Sequence, residues 1–364
     1  MKASYRLLCA IGALYILLLP LTPPDFAEFY DPWLKHIDQL GPVAVFGSPF
    51  ANYAPPYLYL LAALSAFGLP HLLIIKLIAV ASVCVAAFGA VRLVRSLGGD
   101  ASGTCALFVA ALPTAIFNGP GLGQCDGLWA GPCLLAIAAA LDRNVLAAAV
   151  WAGLAFAFKS QAAFVAPIIL GAVIREREWR AFLIPPIIYL IAITPAWLAG
   201  WPLADLLTIY FQQAAAWFEG NAPNAWAIPI ASGYVGLFTL GYITAGIAAV
   251  GLTVLTVRRG ASAELALLSA ILLPFVLPKM HERYFFLADI LSFCIAWVVR
   301  DRRSILICGL IQVASLGSII AYLTPSPWLD ALSSVVMACA LCLALAILWR
   351  PSMLLPEQRE TATP

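Results

Sequence analysis

The sequence predicts an all-α, polytopic integral membrane protein, and two observations carry this prediction: the composition and the long apolar runs. Of the 364 residues, 63% are hydrophobic and only 10% are charged, and the mean hydropathy is +0.96. Soluble domains carry about 25% charged residues, so this chain could not cover a soluble surface. The apolar content also excludes intrinsic disorder, and a net charge of +2 gives no indication of nucleic-acid binding.

The apolar runs predict the individual transmembrane segments. A helix that crosses a bilayer needs roughly twenty apolar residues, and fewer when it is shielded in a bundle. The weakest run is 54–69, because it is short and opens with Pro55 and Pro56. We expect it to be re-entrant, which leaves about twelve transmembrane helices in one domain, 1–350. The three short runs from 127 to 174 predict helices shielded by neighbours. The runs are 7–21, 54–69, 71–91, 102–118, 127–141, 145–158, 162–174, 181–199, 231–257, 263–277, 284–300, 304–322 and 329–349.

The positions of Lys and Arg predict the orientation, because cytoplasmic loops carry an excess of both. With both termini in the cytoplasm, fifteen of the twenty basic residues are cytoplasmic. We expect the first helix to be retained and 351–364 to be a disordered cytoplasmic tail. The fifteen residues are Lys2, Arg6, Arg92, Arg95, Arg143, Arg175, Arg177, Arg180, Arg258, Arg259, Arg300, Arg302, Arg303, Arg350 and Arg359.

Two large loops are then predicted on the extracytoplasmic side, 22–53 and 200–230. The segment from Asp25 to Leu40 has Phe26, Phe29, Trp33 and Ile37 on one helical stripe, which predicts an amphipathic helix lying in the membrane interface. The second loop carries Trp201, Trp217 and Trp226. Three Trp residues suit either an interfacial aromatic belt or a platform for glycans, and the belt is the favoured interpretation.

The same side collects polar and ionisable residues, which are costly near membrane depth and so indicate function. Carboxylates lie on one loop and cations on others, as transfer from a phosphorylated lipid requires. Structural explanations are a solvated helix face for the acids, snorkelling for Lys159, and a local salt-bridged cap at 281–283. Three histidines without a metalloprotease spacing predict no metal site. The clusters are Asp25, Glu28 and Asp31; Asn52 and Tyr53; Gln124 and Asp126; Lys159, Ser160 and Gln161; and Lys279, His281, Glu282 and Arg283.

Five motifs, in order over nearly 270 residues, resemble the GT-C superfamily of polytopic glycosyltransferases. Within it, the chain is similar to the bacterial mannosyltransferase-like branch related to GPI mannosyltransferase II. No single motif is decisive, but all five fall on the predicted extracytoplasmic side. They are DFAEFYDPW at 25–33, NYAPPYLYLL at 52–61, GQCDGLWAG at 123–131, FAFKSQAAFVAP at 156–167 and LPKMHERYFFLADIL at 277–291.

The resemblance implies a role for each polar cluster. It implies a catalytic carboxylate in the loop 22–53, best matched by Asp25, with Glu28 or Asp31 able to share the role. The sequence has no DxD pattern, so a divalent cation is not indicated and no cofactor is expected. Donor phosphate-binding residues would be Lys159, Lys279, His281 and Arg283. Substrate-binding residues would be Asn52, Tyr53, Gln124, Asp126, Gln161 and Glu282.

The function that the resemblance implies is a membrane glycosyltransferase. It would move mannose or another hexose from a polyprenyl-phosphate donor to a lipid-linked or cell-envelope glycan acceptor, with inversion, on the extracytoplasmic face of the plasma (inner) membrane. Its partners would be this donor, a glycan or glycolipid acceptor and membrane lipid, without nucleic acid. The alternatives are a transporter or flippase of a lipid-linked sugar, and a membrane scaffold without catalytic activity.

The predicted orientation can be tested with topology reporters. A reporter fused after Arg180 or Arg259 should be cytoplasmic, and one placed near Asn221 should be extracytoplasmic, because the basic clusters hold the first two positions inside. A cytoplasmic location for 200–230 would contradict the predicted side of the polar clusters.

Overall fold

The computed structural model describes residues 2–215, 221–227 and 238–348, and within these ranges the chain forms helices and no strand. This confirms the all-α prediction. Trp217 and the expected tail 351–364 lie outside the described residues. The main helices are α1 (Lys2–Leu18), α2 (Asp31–Leu40), α3 (Pro55–Ser65), α4 (His71–Ser96), α5 (Gly103–Ala110), α6 (Pro113–Ile116), α7 (Gly127–Leu141), α8 (Val145–Phe158), α9 (Ala166–Glu176), α10 (Ile184–Ala199), α11 (Leu203–Ala215), α12 (Phe238–Arg259), α13 (Ala263–Val276), α14 (Phe286–Val299), α15 (Arg302–Leu323) and α16 (Pro327–Leu348).

Several helices are long and apolar enough to cross a membrane, which makes the chain a multi-pass membrane protein. Among the described residues five helices meet this criterion by themselves. A sixth span arises if Gly103–Ala110 and Pro113–Gly121, bent by 67° at their junction, cross together. The five are His71–Ser96, Trp179–Ala199, Phe238–Arg259, Arg302–Leu323 and Pro327–Ala346.

Helix α7 is shielded by neighbouring helices, as the short apolar run 127–141 predicts. Nearly all of its side chains are buried, including Trp129 at 0% exposure. Its close approach to α4 depends on glycine: a Cβ on Gly127 would lie 1.9 Å from the Ser82 carbonyl oxygen, and one on Gly131 would lie 2.7 Å from that of Val85. Small residues let helix backbones approach in this way in membrane proteins.

The two ends of the bundle differ in charge. Helix α4 begins at His71, which contacts Asp31 of α2, and its far end carries Arg92, which pairs with Asp142 after α7. At that same far end Arg175, near the end of α9, donates to the Val257 carbonyl of α12. Arginine-bearing helix termini therefore gather at the end of the bundle away from α2 and α3, as the orientation argument requires.

The amphipathic helix predicted in the loop 22–53 is present, but its apolar stripe covers protein. The chain is helical through a π-helical turn, Phe26–Tyr30, and then α2. Trp33 and Ile37 are 7% and 1% exposed, because they pack in a cluster with residues of α3 and α4. The amphipathic pattern therefore reflects packing on the bundle, and the expectation of an interfacial stripe is wrong for these two residues.

The segment 54–69 forms α3, which is only 11 residues long. The Tyr53 ring, just before it, lies 5.4 Å from the Trp33 ring, and Ser65 at its other end donates to Asp38. Both ends of α3 therefore contact α2 or its flank, so the two short helices lie side by side.

The described part of 200–230 contains the helix α11 where the sequence predicted a loop. Its Trp residues are also less exposed than a lipid-facing belt requires: Trp201 is 1% and Trp226 is 8% exposed. Trp201 packs against Phe50, with ring centroids 5.8 Å apart, and the Trp226 indole donates to the Val276 carbonyl at 2.7 Å. The favoured belt interpretation is therefore wrong for these two residues.

The close contact between α4 and α7 should make Gly127 intolerant of any side chain. Gly127→Ala places a methyl group against backbone atoms that cannot rotate away, and such overpacking costs about 1–3 kcal/mol. We expect a lower unfolding temperature in detergent and less monodisperse protein. Gly309→Ala is the matched control, because no atom lies within 4 Å of the position of its Cβ. Equal stability of the two variants would contradict the tight α4–α7 contact.

Candidate active site

A cavity of about 470 Å³ opens at the end of the bundle that carries α2 and α3. Its lining combines residues that are far apart in sequence, from the π-helical turn before α2 to the loop before α14. Eight of the thirteen predicted site residues line it: Asp25, Glu28, Asn52, Tyr53, Lys159, Gln161, His281 and Arg283.

Asp25 lies in the wall of this cavity, held by side chains from two distant segments. Its Oδ2 accepts a hydrogen bond from Gln124 Nε2 at 2.9 Å, and its Oδ1 accepts one from the Tyr322 hydroxyl at 2.7 Å. Arg283 Nη1 is 3.6 Å from Oδ2. The carboxylate is therefore oriented by both oxygens while its side chain remains 17% exposed, which suits a group that must meet a substrate.

Gln124 reaches Asp25 because of a short glycine turn before α7. Gly123 has φ +68°, a conformation that L side chains rarely adopt, and a Cβ there would lie 3.0 Å from Ile75. Gln124 is buried and also accepts a hydrogen bond from the Tyr30 hydroxyl at 3.0 Å. The turn thus joins α7 to the helical segment that carries Asp25.

Lys159 is a buried cation between α8 and the following turn. Its Nζ lies 2.6 Å from Asp126 Oδ1 and 5.0 Å from the centre of the Tyr53 ring. Asp126 also accepts from the Trp129 indole at 2.9 Å and sits at the N-terminus of α7, where the helix dipole favours an anion. Burial alone would raise the pKa of Asp126, but Lys159 and then Arg283 hold it below its usual value.

Arg283 connects three carboxylates in the wall of the cavity. Its Nη1 is 2.8 Å from Glu282 Oε1, its Nε is 3.7 Å from Asp126 Oδ2, and Asp25 is the third neighbour. Burial would raise the pKa of Glu282, but the adjacent guanidinium outweighs it and lowers that pKa to about 2. Both residues are therefore charged at neutral pH. The contact with Glu282 is the one that a local salt-bridged cap predicts, and the other two show that Arg283 does more than cap.

Five predicted residues do not line the cavity. Gln124, Asp126 and Glu282 are at most 2% exposed and lie behind its wall, so their assignment as substrate-binding residues stays a prediction. They hold Asp25, Lys159 and Arg283 in position. Lys279 lies in the turn before His281 with φ +58°, outside the lining.

Asp31 is also outside the cavity. It pairs with Lys35 Nζ at 2.8 Å and with His71 Nδ1 at 2.6 Å. Hydrogen bonds from Lys35 and then from His71 lower its pKa. The side chain therefore faces α4, and of the three candidate bases only Asp25 and Glu28 line the cavity.

Several residues of the site were missed by sequence reasoning. Tyr322 donates to Asp25 but does not line the cavity; it ends an apolar helix, and a lone Tyr there is usually an interfacial residue. The residues from α11 were missed because 200–230 was expected to be a loop. A helix-spaced polar pattern at Asp205, Gln212 and Gln213 is the signal that could have found them. The additional lining residues of this kind are Tyr30, Asp205, Tyr210, Gln212, Gln213 and Tyr284.

No group of three or more His, Cys, Asp or Glu side chains suited to a metal ion occurs in the described part of the chain. Asp25 and Glu28 are the lining carboxylates nearest to each other in sequence, and Asp205 of α11 is a third.

Comparisons with known proteins give no family assignment: no protein-family model matches this chain, and no curated protein matches it.

The buried pair of Asp126 and Lys159 should be essential for stability. Asp126→Asn leaves Lys159 buried without its carboxylate partner, and breaking a buried pair in this way costs about 3–5 kcal/mol. We expect a large drop in thermal stability in detergent. The matched control is Asp142→Asn, which breaks the half-exposed pair with Arg92 and should cost at most about 1 kcal/mol. Equal losses in the two variants would show that the buried pair is not special.

Proposed function

We propose that the chain is a membrane glycosyltransferase of the GT-C type, which moves mannose or another hexose from a polyprenyl-phosphate donor to a lipid-linked or cell-envelope glycan acceptor. The observation that carries this proposal is the position of Asp25 and Arg283, a carboxylate and a guanidinium 3.6 Å apart in the wall of one cavity. The resemblance of the five motifs supports it, since these motifs contain the charged residues that form the ionic wall of the cavity. These residues are Asp25, Asp126, Lys159, Glu282 and Arg283.

In the proposed reaction Asp25 is the base. The acceptor hydroxyl attacks the anomeric carbon, its proton passes to an Asp25 oxygen, and the bond from the anomeric carbon to the phosphate oxygen breaks with inversion. Each Asp25 oxygen accepts one hydrogen bond and retains a further lone pair for the hydroxyl. Glu28 also lines the cavity and is the alternative base.

The cations would stabilise the departing phosphate. Arg283 and Lys159 line the same cavity, and Arg283 is already fixed by its carboxylate neighbours, so little reorganisation is needed when charge develops. The reaction moves one negative charge from the Asp25 side of Arg283 to the phosphate. The Arg283 guanidinium therefore has an anionic partner throughout: Asp25 before the reaction and the phosphate after it.

The remainder of the cavity suits the hydroxyl groups of sugars. Asn52, Gln212 and Gln213 supply neutral amides, and Trp201 and Tyr210 supply aromatic rings. Such a lining binds uncharged, hydroxyl-rich ligands, and it supports a glycan substrate beside the ionic wall.

We also propose about twelve crossings of the plasma membrane, with the cavity extracytoplasmic. The alternating direction of the helices supports this count, with α5 and α6 crossing together and α2, α3 and α11 remaining on the cavity side. The arginine-rich helix ends lie opposite the cavity, and an excess of arginine marks the cytoplasmic side.

The second candidate is a transporter or flippase of a lipid-linked sugar. A transport path needs ionisable groups at mid-depth, and Lys76 is the residue that the sequence offers. It is 0% exposed, and its Nζ donates to the Pro120 and Gly121 carbonyls at 2.6 Å each. These bonds join α4 to the turn before α7, which favours a structural role for Lys76 and therefore the enzyme. A membrane scaffold without catalytic activity would not need a cavity lined by charged side chains.

The Asp25→Asn variant tests the proposed reaction. The amide keeps the size of the side chain but cannot accept a proton, so transfer from a polyprenyl-phosphate sugar should fall by roughly 10²–10⁴-fold. Transfer is measured with purified protein, beside flipping of the same lipid in vesicles. Asp142→Asn is the matched control, since Asp142 pairs with Arg92 at the end of the bundle away from the cavity, and it should retain activity.

Each alternative has its own outcome. Full activity in Asp25→Asn with loss in Glu28→Gln would make Glu28 the base. If the wild-type protein flips the lipid but transfers no sugar, the proposed function would be that of a flippase and not of an enzyme.

A further inference from the structure

His71, at the start of α4, contacts two carboxylates of α2 at once. Its Nδ1 is 2.6 Å from Asp31 Oδ1 and its Nε2 is 2.8 Å from Asp38 Oδ2. Asp31 also pairs with Lys35, and Asp38 also accepts from Ser65 of α3. Three helices therefore meet at one imidazole, outside the cavity described above.

The number of protons on this ring follows from its partners. A carboxylate accepts hydrogen bonds and donates none, and a neutral imidazole carries only one N–H. Only the imidazolium, which carries two N–H groups, can donate to Asp31 and to Asp38 at the same time. Hydrogen bonds from Lys35 and then His71 lower the pKa of Asp31, and those from Ser65 and then His71 lower the pKa of Asp38, so both acids are ionised at neutral pH.

We propose that protonated His71 is a positioning residue, which fastens α2 to α4 and so fixes one wall of the cavity in a pH-dependent way. The π-helical turn that continues into α2 supplies Glu28, Phe29 and Tyr30 to the lining, and α2 itself supplies Trp33. Loss of one proton from His71 removes one of the two contacts. The titratable groups that face the ring are Asp31, Asp38 and, through Asp31, Lys35.

Two more features make the contact suited to this role. The side chain of His71 is 19% exposed, so protons from the bulk can reach it. Asp31 and Asp38 are seven residues apart on α2, two turns of the helix, so the ring bridges most of its length. A salt bridge on either side alone would leave one end of α2 unfastened.

Hydrogen exchange of the α2 amides tests the proposal on the full chain in detergent, independently of transfer. With intrinsic rates corrected for pH, protection of 33–38 should fall about three- to tenfold as His71 loses its proton. His71→Gln should show the lower protection at neutral pH already, without the pH step. His71→Arg, a cation at every pH, should keep the protection on the alkaline side. His36→Gln, on the same helix, is the control and should behave as wild type.

A spectroscopic measurement keeps the proposal testable if a variant fails to fold. The chain has only three histidines, His36, His71 and His281, so ¹⁵N-labelled imidazoles of the wild-type protein can be assigned and titrated. The His71 ring should carry a proton on both nitrogens at pH 7. A neutral His71 ring at pH 7, or protection of α2 that is equal in wild type and His71→Gln across the pH range, would overturn the proposal. If transfer is absent but the pH step is found, the proposed function fails and the fastening remains.

Discussion

The cluster around Arg283 is the interaction on which the rest of the site depends. Its guanidinium contacts Asp25 from the segment before α2, Asp126 from the turn before α7, and its own neighbour Glu282 before α14. These segments are separated by 101 and 156 residues in the chain, as their numbering shows. A guanidinium has five N–H donors in a fixed plane, which lets a single side chain hold several carboxylates in a buried place. Lysine, with one compact ammonium group, could not connect them in the same way.

The helix packing beneath the cluster explains why these groups meet. Gly127 allows α7 to approach Ser82 of α4, and Asp126 is the residue immediately before it. The same turn carries Gln124, which bonds to Asp25. The position of the ionic wall is therefore a consequence of backbone contact between two apolar helices. Buried carboxylates and cations at this depth are stable only when they are paired, and the packing determines which pairs form.

Much of the fold could be predicted from sequence, because the length of an apolar run is enough to predict a helix in a membrane protein. The shielding of α7 by neighbouring helices was also predicted from its short apolar run. The sequence could not show where amphipathic or aromatic residues would be covered by protein. Trp33, Ile37, Trp201 and Trp226 have the pattern of interface residues, yet tertiary contacts bury all four. Hydrophobic periodicity records that a face is apolar, and it does not distinguish lipid from another helix.

The candidate site could likewise be predicted from the sequence only in part. Motif order brought together Asp25, Lys159 and Arg283, but sequence alone does not separate residues that line a cavity from those that hold them. Asp126 and Glu282 belong to the second kind, and only their burial reveals it. Tyr322 is a further case: it reaches Asp25 across 297 positions, from the end of a helix whose sequence is otherwise that of an ordinary membrane span.

The charges enclosed at the site restrict how an anionic donor could be held there. Lys159 and Arg283 bring two positive charges, whereas Asp25, Asp126 and Glu282 bring three negative ones. A phosphodiester would add another negative charge to a region of low dielectric, where uncompensated charge is expensive. Asp126 and Glu282 are held ionised by their cation partners, so they offer no relief. Of the three carboxylates in this cluster, Asp25 is the one that lines the cavity. In the proposed reaction Asp25 gains a proton in the same step in which the phosphate gains charge. The proposed role of Asp25 as base would therefore remove one negative charge from this cluster while the phosphate gains one.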